Sequence, residues 1–181
     1  MKKTMDNKGF SLVELIIVIA IMAILIGIVG SQVIPYIEKS RISKDKDVVD
    51  TCYTAIQAAV AKEGVKNING VELGGLDAAS GINGMDTEIQ ESIGNGIKTS
   101  ADLTNKLGSN AYKGGKVKFW FDASDGFIAI SVEGTDKKKG QTLIISSLKT
   151  FEKETKGTAI CTKLDDVKKN CGGTSSGSSD D

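Results

Sequence analysis

The sequence predicts an α+β protein, in which one long N-terminal α-helix packs through its second half on an antiparallel β-sheet of three or more strands. Three observations predict it. An unbroken apolar run, LIIVIAIMAILIGIVG, fills Leu15 to Gly30. Apolar residues then recur at spacings of three and four from Val48 to Val60. Alternating or apolar runs separated by polar turns follow between Lys116 and Leu148.

The apolar run comes first. No charge or hydrogen-bonding side chain interrupts it, and Val33 and Ile34 extend it. Its reach is close to the roughly 20 residues that cross a bilayer core. It is therefore a transmembrane helix or a signal h-region. An h-region usually spans only about 7–15 residues. The leader before the run holds Asp6 beside Lys2, Lys3 and Lys8. Glu14 stands at the start of the run. A lone carboxylate in a membrane helix costs about 2.5–3.5 kcal/mol and as a rule has a partner. The plainer alternative puts Glu14 at headgroup depth, in water.

The segment KGFSLVELIIVIAIMAILIGIV resembles the N-terminal signature of the type IV pilin family, which includes the type II secretion pseudopilins. The resemblance is close over about residues 7–35 and only architectural beyond. It implies a pilin fold and a leader, 1–9, removed by a prepilin peptidase between Gly9 and Phe10. Phe10 then becomes the N-methylated terminus, and Glu14 matches the acidic residue of the motif. Cleavage frees an amine four residues from Glu14. In a filament the carboxylate of one subunit meets the amine of the next, and two charges costly in an apolar core offset one another. At position 31, where the family often carries a kinking proline, this chain has Ser31, and its single proline is Pro35. Gly27 and Gly30 weaken the helix instead, so a kink or melted stretch is expected within 27–35.

Residues 10–35 are thus a transmembrane and filament-core helix, and 36–63 an amphipathic spine for a globular head. Val48, Val49, Cys52, Tyr53, Ile56, Ala59 and Val60 make one apolar face. Residues 38–47 (EKSRISKDKD) are polar and read as solvated, with Asp45, Asp47 and Asp50 on the wet side. The helix is expected to end at Gly64. Phe10 to Glu63 would span roughly 80 Å at 1.5 Å per residue.

The head is placed at 64–171. Residues 65–115 are glycine-rich, with short helices expected over Met85–Ile93 and Ala101–Leu107, the second capped by Asp102. Strands are expected over Lys116–Asp122, Gly126–Glu133 and Gln141–Leu148. Trp120 reads as a partly buried sheet residue. Residues 149–171 are expected to fold over the sheet. GGTSSGSSDD, 172–181, reads as a flexible tail.

Composition excludes several functions. There is no histidine, so histidine-dependent catalysis and ligation are out. Charges balance at 23 basic and 23 acidic residues, which is no general platform for nucleic acid. The lysine triplet Lys137–Lys139 reads as a charged hairpin turn, with a contact for DNA or an anionic surface as the alternative. Ser146 and Lys149 fit a bare Ser-x-x-Lys spacing, without the accompanying motifs of an acyl enzyme. Asp122 and Asp125 suit turn chemistry better than calcium. No catalytic residue, cofactor or metal site is expected. Cys161 and Cys171 form a candidate disulfide, with two reduced thiols as the alternative, and Cys52 reads as a buried free thiol.

The function these features imply is structural: a pilin that polymerises through its helix into a surface filament. It would be a single-pass membrane protein before assembly and lie on the cell surface afterwards. Its partners by resemblance are copies of itself, the prepilin peptidase, an inner-membrane platform protein and an assembly ATPase. The alternatives are a secretion pseudopilin, for which Asp165 and Asp166 keep C-terminal calcium open, and a minor pilin with an adhesive or DNA-binding role.

Overall fold

The structure is a computed structural model that describes residues 10–61, 65–94 and 96–171. The leader 1–9, the expected helix end at Glu63 and Gly64, and the tail 172–181 lie outside the described residues. The chain divides into two units, one ending at Lys39 and one beginning at Ser40.

Helix α1 runs from Leu12 to Val60. The melted stretch expected within 27–35 is absent: these residues are helical throughout, with Pro35 inside the element. A proline removes one backbone donor, and the Ser31 hydroxyl nearby donates to the Ile28 carbonyl at 2.8 Å. In the first unit the apolar side chains are uncovered. Leu15, Ile16, Ile17 and Val18 are 59, 52, 53 and 44% exposed. Four consecutive helical residues point in four directions, so within this unit the stretch is exposed on every side.

In the second unit the helix buries one stripe: Asp45, Val49, Cys52, Tyr53, Ile56 and Ala59. Asp45 corrects the expectation of a wet face. It is 2% exposed, and its carboxylate accepts the N–H groups of Gly108 and Ser109 at 2.9 and 3.0 Å and the Ser109 hydroxyl. A carboxylate in the stripe is tolerated because the 107–112 loop turns its own orphan donors towards it.

Short elements follow: β1 (Ile68–Glu72), α2 (Leu76–Ser80), α3 (Met85–Ile93) and α4 (Ser100–Lys106). The carboxylates of Asp77 and Asp86 knit the glycine-rich stretch. Asp77 accepts from the N–H groups of Gly84 and Asp86, and Asp86 from that of Gly74. Thr99, not Asp102, caps α4, while Asp102 closes the capping box three residues in.

Strands β2 (Val117–Asp122), β3 (Phe127–Glu133), β4 (Gln141–Ser146) and β5 (Phe151–Glu154) complete a five-stranded antiparallel sheet in the order β1-β2-β3-β4-β5. Val117, Phe119, Phe121, Ile130, Val132, Leu143 and Ile145 join the α1 stripe in one core. Trp120, Phe127, Ala129 and Ile144 belong to a second cluster with Cys161, Val167 and Cys171. The sheet is therefore covered on both faces, by α1 on one and by the C-terminal segment with helix α5 (Leu164–Asn170) on the other. That explains why β3, FIAISVE, is apolar nearly throughout. It also corrects Trp120, which is fully buried with its indole N–H donating to the Ser131 hydroxyl at 2.7 Å.

Asp45→Ala should destabilise the head by about 3 kcal/mol, because two backbone donors and a hydroxyl lose their acceptor in a dry site. Asp45→Asn keeps one acceptor oxygen and should cost less. Urea denaturation of the detergent-solubilised chain measures both, and a cost near zero for Asp45→Ala would contradict this role.

Candidate assembly site

The residues expected to direct processing and assembly cluster at the start of the chain. Gly9 lies outside the described residues. Phe10 is 87% exposed. Helix α1 begins two residues later, with its first backbone bond from Leu15 N–H to Ser11 carbonyl at 3.2 Å. The Glu14 carboxylate accepts the Ser11 N–H at 3.0 Å. Ser11 precedes the first helical residue and Glu14 is the third one in, so this is half of a capping box. The spacing Ser-x-x-Glu before an apolar run carries that signal in sequence, but the membrane cost of Glu14 obscures it. Within one chain, then, Glu14 already satisfies an orphan donor, through one carboxylate oxygen, Oε2.

Among the described residues, one helix is long and apolar enough to cross a membrane, and it is the one that carries Glu14. The site thus combines an uncovered apolar cylinder with one carboxylate at its N-terminal end. Such a surface supports packing against lipid or other apolar helices.

Several of the head's charged groups hold the fold. Lys168 of α5 lies buried between Asp122 and Asp125, 2.5 and 2.7 Å from their carboxylates, with the Phe127 ring 5.6 Å away. Burial alone would lower the lysine's pKa, but the hydrogen bonds to both aspartates outweigh it and raise it. The hydrogen bond from Lys168, then those from Ser124, hold Asp122 down at about 2. The sequence marks both aspartates as turn formers, and the Ser124 and Phe127 N–H groups do bond to them. It does not mark Lys168, whose partners lie more than forty positions away. Asp166 caps α5 by accepting from the Thr162 and Lys163 N–H groups. Ser146 is a turn residue, its hydroxyl donating to the Lys149 carbonyl. Cys161 and Cys171 are free thiols that lie in the same apolar cluster, and Cys52 is a free thiol in the helix stripe. Burial, reinforced by Glu133 and Cys171, pushes Cys161 up to about 12, and burial raises Cys52 to about 12.

Residues 4–30 match the family model of the prokaryotic N-terminal methylation motif, which is characteristic of type IV pilins and pseudopilins. No curated protein and no solved structure matches the chain. The motif supports a type IV pilin-like or pseudopilin precursor, points to a structural protein, and with the apolar helix fits a membrane-anchored one. The match ends at residue 30, so the head stands on its own geometry.

Lys168→Met should cost on the order of 3 kcal/mol at neutral pH, because two carboxylates lose a largely buried partner. The Asp122 part of that stability is complete above the unfolded carboxylate value near 3.9 and is lost as pH falls through about 2. Melting curves at pH 7 and pH 2 should therefore separate the variant from the parent at the higher pH and bring them together at the lower. A gap that widens on acidification would contradict the ion-pair account. All three thiols should resist alkylation at pH 8 in the folded chain. Reaction of Cys52 as fast as a free peptide thiol would overturn its burial in the stripe.

Proposed function

We propose that the chain is a type IV pilin, a subunit that is stored in the membrane by its apolar helix and then polymerises through that helix into a surface filament. The observation that carries the reading is the uncovered apolar stretch of α1 with Glu14 as its single carboxylate, directly after Gly9 and Phe10 in the methylation motif. Prepilin peptidase cuts between Gly9 and Phe10, and Phe10 becomes the N-methylated terminus. The 10–35 segment passes from lipid into the filament core, while 36–63 and 64–171 form the spine and head, with 172–181 as a tail. An inner-membrane platform protein and an assembly ATPase drive the transfer.

Glu14 has two roles in this scheme. Its Oε2 caps Ser11 of its own helix. In the filament its charge meets the terminal amine of a neighbour's Phe10. The pair enforces axial register, because a shifted subunit leaves two charges unpaired in an apolar core. A single substitution to alanine removes both roles at once. Glutamine keeps a capping oxygen and removes only the charge.

Glu14→Ala and Glu14→Gln chains should both insert in the membrane, and both should fail to yield surface filaments. Electron microscopy of sheared cells, with membrane fractionation as the control for insertion, reads this out. Normal filaments from Glu14→Gln would reduce Glu14 to a helix cap, and normal filaments from both would refute the charge pairing.

A further inference from the structure

Ten residues follow Cys171, GGTSSGSSDD, and their charged side chains are Asp180 and Asp181. Cys171 fixes where this segment starts. It belongs to the cluster on one face of the sheet, with Ile144 of β4, and Phe151 of β5 packs against that cluster. Its thiol lies beside the Ser146 side chain at the end of β4.

Lysines lead away from that point along the outer strand. Side chains alternate between the two faces of β5. Phe151 is on the Cys171 face, so Lys153 shares it. Glu152 and Glu154 fall on the opposite face, where Glu152 accepts from Lys46 of α1 at 2.7 Å. After β5 the chain turns at Lys156. The Thr155 and Lys156 N–H groups both donate to the Gly140 carbonyl at 2.9 Å, which ties this turn to the one carrying Lys137, Lys138 and Lys139. The carboxylate within that second turn, Asp136, is occupied in shaping it, since its Oδ1 accepts the Lys138 and Lys139 N–H groups at 2.8 Å each. Lys137, Lys138, Lys139, Lys153 and Lys156 are all exposed, and none has an ion-pair partner among the described residues.

We propose that Asp180 and Asp181 dock on these five lysines of their own head, so that residues 172–181 form a strap along the outer strand. Length and charge both support this occupant. From Ser146 back to Gln141, beside the lysine turn, β4 makes five residue steps, about 17 Å at the usual strand rise. Asp180 lies nine residues after Cys171, and a glycine–serine segment of that length has a root-mean-square span of about 15–18 Å. A tether whose span matches the gap gives the highest effective concentration, on the order of millimolar. At micromolar protein, the same segment of a second copy competes poorly with it. Lysine is a flexible point charge and suits carboxylates that arrive on a tether without fixed geometry. The strap shields the lysine turn from other polyanions. Salt releases it, because the Debye length falls from about 10 Å at 0.1 M to about 3 Å at 1 M. The contact lies within the head and needs no filament.

The test uses the full chain in a non-ionic detergent, as an equal mixture of nitrogen-15-labelled and unlabelled protein at about micromolar concentration. A carbodiimide joins carboxylates to ammonium groups in contact with them, and mass spectrometry of the digest locates the links. Peptide 170–181 should be linked to the five lysines several-fold more often than to Lys66, which precedes β1 at the other edge of the sheet, or to Lys163 and Lys169 of α5. The links should join chains of like isotope and fall several-fold at 1 M sodium chloride. D180N/D181N should raise the acetylation rate of the five lysines two- to threefold and leave Lys66 and the melting curve unchanged. Links spread evenly over all lysines, no links from peptide 170–181, or acetylation unmoved by the variant would overturn the proposal. So would links mainly between labelled and unlabelled chains, which would make a second copy the occupant.

Discussion

The constraint on which the proposed assembly depends is an apolar helical stretch with exposed side chains. From Phe10 to Ile34 the large apolar side chains are exposed on all sides. Removing such a side chain from water is worth about 1.5–3 kcal/mol, so the stretch as a whole favours burial by tens of kcal/mol. A carboxylate at its edge opposes this by only about 2.5–3.5 kcal/mol. Glu14 therefore does not decide whether the helix is buried. It bears on how the helix starts, through the Ser11 cap, and, in the proposed filament, on which register it adopts.

The buried core clusters contain no residue of the 10–34 stretch, so the head has to be self-sufficient. Its sheet is sandwiched, with the second half of α1 against one face and α5 with the C-terminal segment against the other. Each cover is fastened by a buried carboxylate contact of long sequence range. Asp45 ties the helix to the loop at Gly108 and Ser109, and Lys168 ties α5 to the turn at Asp122 and Asp125. Both sites place charge where burial would be unfavourable without partners; Asp45 finds them in backbone N–H groups of a loop, and Lys168 in two carboxylates held by a turn.

Much of this architecture is legible in the sequence wherever one period dominates. The stripe Val49, Cys52, Ile56 and Ala59 follows helical spacing, and strands β2, β3 and β4 lie within two residues of their expected bounds. Helix α3 spans Met85–Ile93 as expected. Strands β1 and β5 escape such reading for physical reasons. In β1, Gly70 at φ 67° breaks the register at a bulge. In β5, Phe-Glu-Lys-Glu is a polar edge strand with no apolar alternation to detect. Helices α2 and α5, of five and seven residues, are too short for a period to emerge. At the assembly site the Gly-Phe-Ser-Leu-Val-Glu signature is plain in sequence, but the cap made by Glu14 is seen only with the backbone in place. The burial of Asp45 and Trp120 escapes such reading because periodicity assigns a face and cannot supply the loop or segment that covers it.

The most direct measurement is intact and peptide mass spectrometry of filaments sheared from the cell surface. The account predicts this chain in those filaments, beginning at N-methylated Phe10 and lacking residues 1–9. A chain that keeps its leader, starts elsewhere, or is absent from the sheared fraction would contradict it.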